Sequence, residues 1–190
     1  SFAKRRLRLA KSSGLAALFR FSSLTIVSEI SMNEKLAQSL LTKVKEDYDL
    51  TVDDYTRSRS FIPEDIIDLV NYAAAGDRIL DSGCASGRLY ETFNQKGIDY
   101  FGVDLSGRMI ERAMADHPAG RFQVTDSRFL PFPENYFDKV YSISVIHNVP
   151  SEKFRQQYLK ELERVLKPGG LLILRVWDFW KRRAMPRLFL

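Results

Sequence analysis

Ile79-Leu-Asp-Ser-Gly-Cys-Ala-Ser-Gly87 is the stretch of this sequence that says most about its fold. A short apolar run passes there into a loop of small residues, and a helix is expected to begin where the loop ends. Small residues let a ligand approach the backbone closely, and the first turn of a helix offers free N–H groups. The stretch therefore predicts a strand, a ligand-binding loop and a helix, with an ordinary tight turn as the alternative.

Strands and helices alternate along the rest of the chain. We expect strands at residues 78–80, 100–103, 122–125, 137–143 and 171–176, and helices at residues 31–48, 64–75, 87–96, 106–115 and 151–166. In the first helix Leu36, Leu40 and Val44 recur on one face, while residues 53–61 are expected to be irregular. This alternation predicts a parallel sheet with helices on both of its faces.

Acidic residues follow two of the predicted strands. Asp104 ends the second strand, 21 positions after Gly83, a separation that suits a carboxylate accepting hydrogen bonds from two ribose hydroxyls. Asp126 and Ser127 follow the third strand, where they can meet the exocyclic amine of an adenine. Each acid could also be a loop or capping residue. Together with the small-residue loop, they predict a nucleotide-like cofactor at the carboxyl ends of the strands.

The details of the loop narrow the choice of cofactor. A dinucleotide site has the pattern G-x-G-x-x-G, whereas this loop has Gly83, Ala85 and Gly87, with Arg88 where the last glycine belongs. No G-K-[ST] sequence that would cradle phosphates is present. The spacing favours a cofactor with an amino-acid tail and no phosphate.

Residues 79–176 resemble a class I S-adenosylmethionine-dependent methyltransferase of the type 11 kind. Asp81-Ser-Gly-Cys-Ala-Ser-Gly87 resembles the first motif of that family, D-x-G-C-G-x-G, and Val103-Asp-Leu-Ser106 resembles its ribose motif. Residues 125–138 resemble D-x-x-x-L-P-F-x-D-x-x-F-D, and residues 164–170 resemble R-x-L-K-P-G-G. The resemblance implies a Rossmann-like, doubly wound, mostly parallel sheet and S-adenosyl-L-methionine as the cofactor.

Two shorter segments are similar to the family that methylates a modified wobble uridine of tRNA. Residues 142–149 resemble S-I-A-V-I-H-H, with Asn148 in place of the second histidine, and residues 54–59 resemble F-S-x-T-R. The likeness implies tRNA as the methyl acceptor and a small activating subunit as a candidate partner. A small molecule such as a quinone precursor remains an alternative acceptor. A non-catalytic cofactor-binding module and a nicotinamide oxidoreductase are rival classes, the second disfavoured by Arg88.

The resemblance also implies roles for individual residues. Gly83, Cys84, Ala85 and Gly87 would surround the methionine end of the cofactor, and Asp81 would orient its amino group through the loop. Arg59 would reach its carboxylate, and Ser144 would approach it from the fourth strand. Asp104 and Leu105 would hold the ribose, and Asp126 and Ser127 the adenine. The methyl group of Ala85, where the family has glycine, is expected to crowd the cofactor and weaken its binding.

Methyl transfer from a sulfonium requires mainly alignment of the reacting groups, which can contribute about 7–11 kcal/mol. A carboxylate acceptor needs no general base. A hydroxyl, amine or carbon acceptor benefits from one, and His147 is then the candidate catalytic residue. A hydrogen-bonded residue in the wall of the site is the alternative role for His147.

Composition sets further limits. The chain has 190 residues, room for one domain, and its 45% hydrophobic and 28% charged content is typical of a globular protein. A single cysteine excludes a disulfide framework and a cysteine zinc site, and two histidines leave little for a histidine metal site. No apolar run approaches the roughly 20 residues that span a bilayer.

The positive charge lies at the two ends of the chain. The formal net charge is +5, with six basic and one acidic residue in 1–31 and four basic and one acidic in 177–190. Residues 32–176 hold 19 basic and 22 acidic residues. The net charge is therefore no support for RNA binding if Met32 is the true start.

Residues 1–31 are expected to be a basic extension outside the fold. They have the composition of a mitochondrial transit peptide. The other interpretation is that they are upstream sequence that is not natively translated. A signal peptide fits poorly, because Arg20 interrupts the apolar region. A transit peptide would imply a mitochondrial location, and its absence a cytoplasmic one.

Residues 32–190 are expected to form the methyltransferase domain. The last two strands of the class are expected to be missing, which would expose a sheet edge and apolar residues such as Trp177, Phe179, Trp180 and Phe189.

Overall fold

A computed structural model describes residues 15–19 and 32–176. The strands are β1 (Leu15–Phe19), β2 (Arg78–Ser82), β3 (Asp99–Asp104), β4 (Arg121–Val124), β5 (Phe137–Ile143) and β6 (Leu166–Val176). The helices are α1 (Glu34–Leu50), α2 (Val52–Ser58), α3 (Glu64–Val70), α4 (Tyr90–Asn94), α5 (Gly107–Asp116) and α6 (Glu152–Val165), with a 3₁₀ turn at Ile146–Asn148.

The strands form one sheet in the order β1-β6-β5-β2-β3-β4. Strands β2 to β6 are parallel, and β1 pairs antiparallel with β6. From β2 the chain runs outward through β3 and β4, then returns to build β5 and β6 on the other side. The predicted Rossmann-like, doubly wound α/β fold is confirmed, and its strand order reverses between β2 and β5, where such sheets bind ligands.

Helices cover both faces of the sheet, as predicted. Neighbouring residues of β2 point to opposite faces, because side chains alternate along a strand. Ile79 belongs to a buried cluster with residues of α3, α4 and α5, while Leu80 packs with residues of α1 and α6. The two clusters hold the strand ends in place around the loop at Gly83.

Helix α6 forms as its sequence predicts. The Ser151 hydroxyl caps its first turn by accepting a hydrogen bond from Phe154 N at 3.2 Å. The predicted apolar face is buried and consists of Phe154, Tyr158, Leu162 and Val165.

The prediction for α1 is wrong about which side is buried. Ala37 and Leu41 are buried, whereas Leu36 and Leu40 are 53% and 39% exposed. The helix is thus rotated by about one residue from the predicted face: Ala37 and Leu41 belong to the buried cluster that contains Leu80 and residues of α6, and α1 also contacts α2 and α5. The irregular segment predicted at 53–61 is also largely helical: Val52 of α2 is buried, and Asp53 and Asp54 lie in the first turn, where acids are favoured.

The N-terminal strand β1 differs from the expectation that residues 1–31 lie outside the fold. Leu15 to Phe19 pair with Val176 to Leu172 along the outer side of β6. An apolar five-residue run can take up the N–H and C=O groups that an edge strand leaves unpaired. The edge of β6 that was expected to be exposed is therefore covered. The expected exposed residues Trp177, Phe179, Trp180 and Phe189 lie outside the described residues. In the part of the chain that the structure describes, no helix combines the length and apolar character needed to cross a membrane.

Candidate active site

A cleft opens at the carboxyl ends of β2 to β5, beneath α1. Its volume is about 750 Å³ when the solvent-filled space at its open mouth is included. The predicted residues that line it are Gly83, Ala85, Asp104, Leu105, Asp126, Ser127 and Ser144. The structure thus brings seven of the predicted residues together around one space.

Gly83 makes the turn from β2 into the loop. Its φ is +83°, a conformation that side chains disfavour, and a Cβ atom there would overlap the side chain of Val145. Its N–H donates to Val103 O at 2.7 Å, which fixes the loop against β3. The loop can therefore take this conformation, packed against Val145, only with glycine at this position.

Ala85 also has a positive φ, +49°, which is uncommon for a residue with a side chain. Its methyl group is buried in a cluster with Val52 of α2 and Met109 of α5. Its N–H donates to Asp104 Oδ2 at 2.9 Å. Ala85 thus joins the loop to Asp104 and to helices α2 and α5.

The carboxylate of Asp104 is oriented by two backbone amides. Ala85 N donates to Oδ2 and Ser106 N to Oδ1, both at 2.9 Å. Burial raises the pKa of Asp104, although the amides that donate to it act in the opposite direction. An ionised carboxylate has about four acceptor sites, so each oxygen can still accept a hydroxyl of a diol.

Asp126 is held by a neighbour that was not predicted from the sequence. Arg128 N donates to Oδ1 at 3.0 Å, and its guanidinium donates to both oxygens, with 2.6 Å between Nη2 and Oδ2. Arg128 itself is only 7% exposed and borders the cleft. The carboxylate of Asp126 is therefore fixed in a bidentate ion pair within its own loop.

Asp81 and Cys84 lie beneath the loop and are not among the lining residues. Asp81 is 2% exposed, accepts a hydrogen bond from the Tyr100 hydroxyl at 2.9 Å, and burial raises its pKa to about 6. Burial also raises the pKa of Cys84, so its thiol stays protonated at neutral pH and is no nucleophile. Gly87 is likewise behind the lining, packed near Phe122.

Cationic residues gather beside Ser144 at one end of the cleft. Arg175 Nη1 donates to Ser144 Oγ at 2.9 Å, and Arg175 Nε donates to Asp65 Oδ2 at 2.8 Å. Burial lowers the pKa of Arg88, and the nearby positive charges of Arg59 and Arg175 lower it further, against the influence of Tyr55 and Asp81. The charges of Arg59 and Arg175 thus both act on Arg88, and we call these three residues the arginine cluster.

His147 and Arg59 do not line the cleft. His147 lies in the 3₁₀ turn after β5, and desolvation of its ring together with the charge of Arg175 lowers its pKa. Arg59 ends α2 with its guanidinium 5.6 Å from the centre of the Tyr55 ring. Arg59 thus belongs to the arginine cluster and His147 lies near Arg175 of that cluster, and neither is in the wall of the cleft.

The wall that α1 and its neighbours provide was not predicted from the sequence. The unpredicted lining residues include Leu41, Val44, Lys45, Tyr48, Tyr55, Arg128, Asn148 and Tyr158. Leu41, Val44 and Tyr48 follow the spacing of one helix face, a signal that is present in the sequence but was attributed to a neighbouring face.

Hydroxyl groups form a buried network under the adenine side of the cleft. The Tyr158 hydroxyl is 3.0 Å from Ser82 Oγ and 2.7 Å from Ser142 Oγ, and Ser82 Oγ donates to Ser127 Oγ at 2.9 Å. The network connects α6 to β2, to β5 and to the loop after β4. It fixes Ser127 from below, in a region where unpaired hydroxyls would be costly.

Comparison with known proteins agrees with this geometry. The Methyltransferase domain family matches residues 80–174, half of the chain. A TehB-like SAM-dependent methyltransferase from Corynebacterium glutamicum has a similar structure, with a TM-score of 0.58 and 26% identity over 73% of this chain and 78% of that one. The chain belongs to the methyltransferase domain family. It is an S-adenosylmethionine-dependent methyltransferase, and S-adenosylmethionine is its cofactor.

Two curated relatives indicate the range of acceptors. The tRNA (carboxymethyluridine(34)-5-O)-methyltransferase of Arabidopsis thaliana is 27% identical over 158 residues, 83% of this chain and 37% of the relative. The 2-methyl-6-phytyl-1,4-hydroquinone methyltransferase of Synechocystis is 30% identical over 127 residues, 60% of this chain and 39% of the relative. The chain thus spans less than half the length of either protein. The predicted similarity to the wobble-uridine family is confirmed.

The cleft fits this cofactor. Its loop has no Cβ atom at Gly83, Asp104 has acceptor capacity for a diol, and the hydroxyl of Thr125, which borders the cleft, lacks a hydrogen-bond partner among the described residues. Within the same residues no cluster of His, Cys, Asp or Glu could hold a metal ion. The donor set is that of an organic ligand with hydroxyl and amine groups.

Proposed function

We propose that this chain methylates a carboxylate oxygen on a modified wobble uridine of tRNA. The similarity to a methyltransferase named for that reaction extends over 83% of the chain. The carboxylate is the feature of this acceptor that the cleft can recognise, because it carries a negative charge next to the reacting oxygen.

The arginine cluster is the observation that carries the proposal. Arg175 Nη1 donates to Ser144 Oγ at 2.9 Å at one end of the cleft, and the pKa of Arg88 is lowered by burial and by the charges of Arg59 and Arg175. Bringing a carboxylate among them would relieve this repulsion. Arginine also binds carboxylates through paired hydrogen bonds. The cluster therefore favours an anionic acceptor over a neutral one.

We assign the lining residues to the parts of the cofactor in the order in which they stand around the cleft. Gly83 and Ala85, with Cys84 and Gly87 behind them, border the amino-acid end, where the ionised form of Asp81 attracts an ammonium group through the loop. Asp104, with Leu105 beside it, accepts from the ribose. Asp126 and Ser127 meet the adenine, and Ser144 stands between the cofactor and the acceptor. Arg59 then binds the carboxylate of the cofactor or that of the methyl acceptor.

The chemistry asks little of the side chains. Bound S-adenosylmethionine supplies a methyl group on a positively charged sulfur. A carboxylate oxygen attacks the methyl carbon in line, the new O–C bond forms as the C–S bond breaks, and the sulfur leaves as a neutral thioether. No proton moves, so the residues of the cleft act by holding the two partners in line and excluding water.

The test is transfer of a radioactive methyl group to tRNA that carries carboxymethyluridine. We expect incorporation that is released by mild alkali, because the product is a methyl ester. The same tRNA sequence without the carboxymethyl group is the matched control and should accept no label. Label that resists alkali, or equal label on both tRNAs, would contradict the proposal.

Methylation of a quinone precursor is the second candidate. The hydroquinone methyltransferase of Synechocystis favours it, with 30% identity over 127 residues. Such a reaction forms a carbon–carbon bond and requires loss of a proton, for which His147 is the nearest candidate base. Alkali-stable label in a hydroquinone and none in tRNA would select this function.

A further inference from the structure

Arg128 is a buried charge that no sequence motif singles out. It is 7% exposed, and such a charge must be paired and hydrogen-bonded to be tolerated. Nearly all its contacts converge on one residue: the backbone N and Nε donate to Asp126 Oδ1 at 3.0 and 3.1 Å, and Nε and Nη2 donate to Oδ2 at 3.0 and 2.6 Å. The guanidinium of Arg128 thus pairs with the carboxylate of Asp126 in the wall of the cleft.

The guanidinium is itself fixed from two sides. Its central carbon lies 3.9 Å from the centre of the Phe154 ring, a stacking distance typical of arginine on an aromatic face. Its Nη2 also donates to Gln38 Oε1 on α1 at 3.2 Å. Arg128 therefore cannot rotate without losing contacts to α6 and α1. The carboxylate of Asp126, which pairs with Arg128, is held in one orientation as a result.

The pairing leaves Asp126 little spare capacity. An ionised carboxylate has about four acceptor sites, and three N–H groups of Arg128 donate to them: the backbone N to Oδ1, Nη2 to Oδ2, and Nε to both oxygens. At most one well-directed acceptor position remains for a ligand. A single fixed acceptor can take a hydrogen bond from an amine N–H. It would be repelled by the lone pair of a carbonyl oxygen in the same place.

We propose that Arg128 is a positioning residue that sets the recognition of adenine, by holding Asp126 so that one lone pair is presented to the 6-amino group of the cofactor. The proposal rests on the adenine-side role given to Asp126 above. The known pattern of the loop assigns nothing to position 128. Its side chain touches no part of the ligand in this role and acts through Asp126.

The test compares two ligands that differ at one group. S-adenosyl-L-homocysteine carries the amine, and S-inosyl-L-homocysteine carries a carbonyl oxygen in its place. Titration calorimetry with the full chain gives a dissociation constant for each. We expect wild type to prefer the adenosyl ligand by about tenfold or more, since a site built for a donor rejects the analogue that lacks it.

Arg128→Gln should reduce that preference to less than about threefold, chiefly through weaker binding of the adenosyl ligand. Arg128→Lys keeps the charge without the fork and should show the same direction of change; it carries the test if the glutamine variant does not fold. Arg121→Gln is the matched control, because Arg121 also pairs with an aspartate and stacks on a ring, 4.1 Å from the centre of Phe101, away from the cleft. It should keep the wild-type preference.

A combined Asp126→Asn and Arg128→Gln variant shows whether the arginine acts through the aspartate. Its preference should equal that of Asp126→Asn alone, because the arginine has no effect once the aspartate is gone. Three outcomes would overturn the proposal and leave Arg128 with a purely structural role. Arg128→Gln could weaken the binding of both ligands equally, it could leave the preference unchanged, or the combined variant could show additive losses. Wild type that binds neither ligand would instead contradict the cofactor site itself.

Discussion

The amide of Asn148 donates a hydrogen bond to the hydroxyl of Tyr48, with 3.0 Å between Nδ2 and Oη. Tyr48 stands near the end of α1 and Asn148 in the turn after β5, so the bond spans the cleft. A second contact lies nearby, where Asp49 Oδ1 accepts from Ser106 Oγ at 2.5 Å at the start of α5. Helix α1 is thus fastened to both sides of the site that it covers.

The first prediction concerns the Tyr48–Asn148 bond. Tyr48→Phe and Asn148→Ala should each destabilise the protein, and the combined variant should lose about 1 kcal/mol less than the sum, because the bond is lost only once. Urea unfolding measures the three changes. Tyr72→Phe, at an exposed tyrosine outside the cleft, should be additive with Asn148→Ala. A coupling indistinguishable from that control would show that the bond does not hold α1.

The second prediction concerns Ala85. Ala85→Gly removes the penalty of a positive φ, about 1–2 kcal/mol, but also loses a buried methyl group of about 1 kcal/mol and makes the unfolded chain more flexible. The opposing contributions nearly cancel, so the free energy of unfolding should stay within about 1 kcal/mol of wild type. Affinity for S-adenosylhomocysteine should change by less than about threefold, since the methyl group packs on Val52 and Met109.

Gly76→Ala is the control for Ala85→Gly. Gly76 has a φ of +82°, and no neighbouring atom lies within 4 Å of the place that a Cβ atom would take, so the substitution isolates the backbone penalty. It should destabilise the protein by about 1 kcal/mol. Binding that tightens by tenfold or more in Ala85→Gly would instead support the expectation that the alanine crowds the cofactor.

Much of the fold could be predicted because its signals are local. The run from Ile79 to Gly87, the acids after the strands and the apolar face of α6 each lie within a few consecutive residues. The parallel sheet follows from their order. The small-residue loop with Gly83 and Ala85 and the acids Asp104 and Asp126 were found for the same reason, since they lie at or soon after strand ends. Leu105 and Ser144 were implied only by the resemblance to the methyltransferase family.

The remaining features depend on contacts between distant segments. Arg164 was recognised only as part of a motif, yet its guanidinium donates to the carbonyls of Leu130 and Phe132 at 2.9 and 2.8 Å and so holds the loop after β4. The face that α1 buries depends on the cleft beneath it, and β1 depends on the edge of a strand far along the chain. Helix periodicity alone cannot choose between adjacent faces of α1.

The third prediction is a pH dependence set by Asp81. Burial raises the pKa of this carboxyl to about 6 from its ordinary value of 3.8, so the folded protein keeps a proton that the unfolded chain has lost. Stability from this group is therefore greatest at low pH and falls as the pH rises from about 4 to about 6. Asp81→Asn can still accept the hydrogen bond from the Tyr100 hydroxyl, but it does not titrate, so its stability should not fall in this way.

Between about pH 4.5 and about pH 7, Asp81→Asn should gain about 2 kcal/mol of stability relative to wild type. Urea unfolding at several pH values measures the difference, and other titrating groups cancel in it. A difference that stays constant across this range would mean that Asp81 is ionised in the folded protein at every pH tested.

The fourth prediction separates the two roles of His147. With a carboxylate acceptor no proton is transferred, so His147→Gln should lower the single-turnover rate by less than about tenfold, and the wild-type rate should stay level between about pH 6 and about pH 8. A general base usually contributes about 100-fold or more to the rate. Desolvation and the charge of Arg175 lower the pKa of His147, so a rate that depended on this base would fall only at the acidic end of that pH range. His117→Gln, which removes the other histidine and its contact with Glu91, is the matched control and should leave the rate unchanged. A loss above about 100-fold confined to His147→Gln, with a rate that falls toward low pH, would contradict a carboxylate acceptor and favour one that must lose a proton.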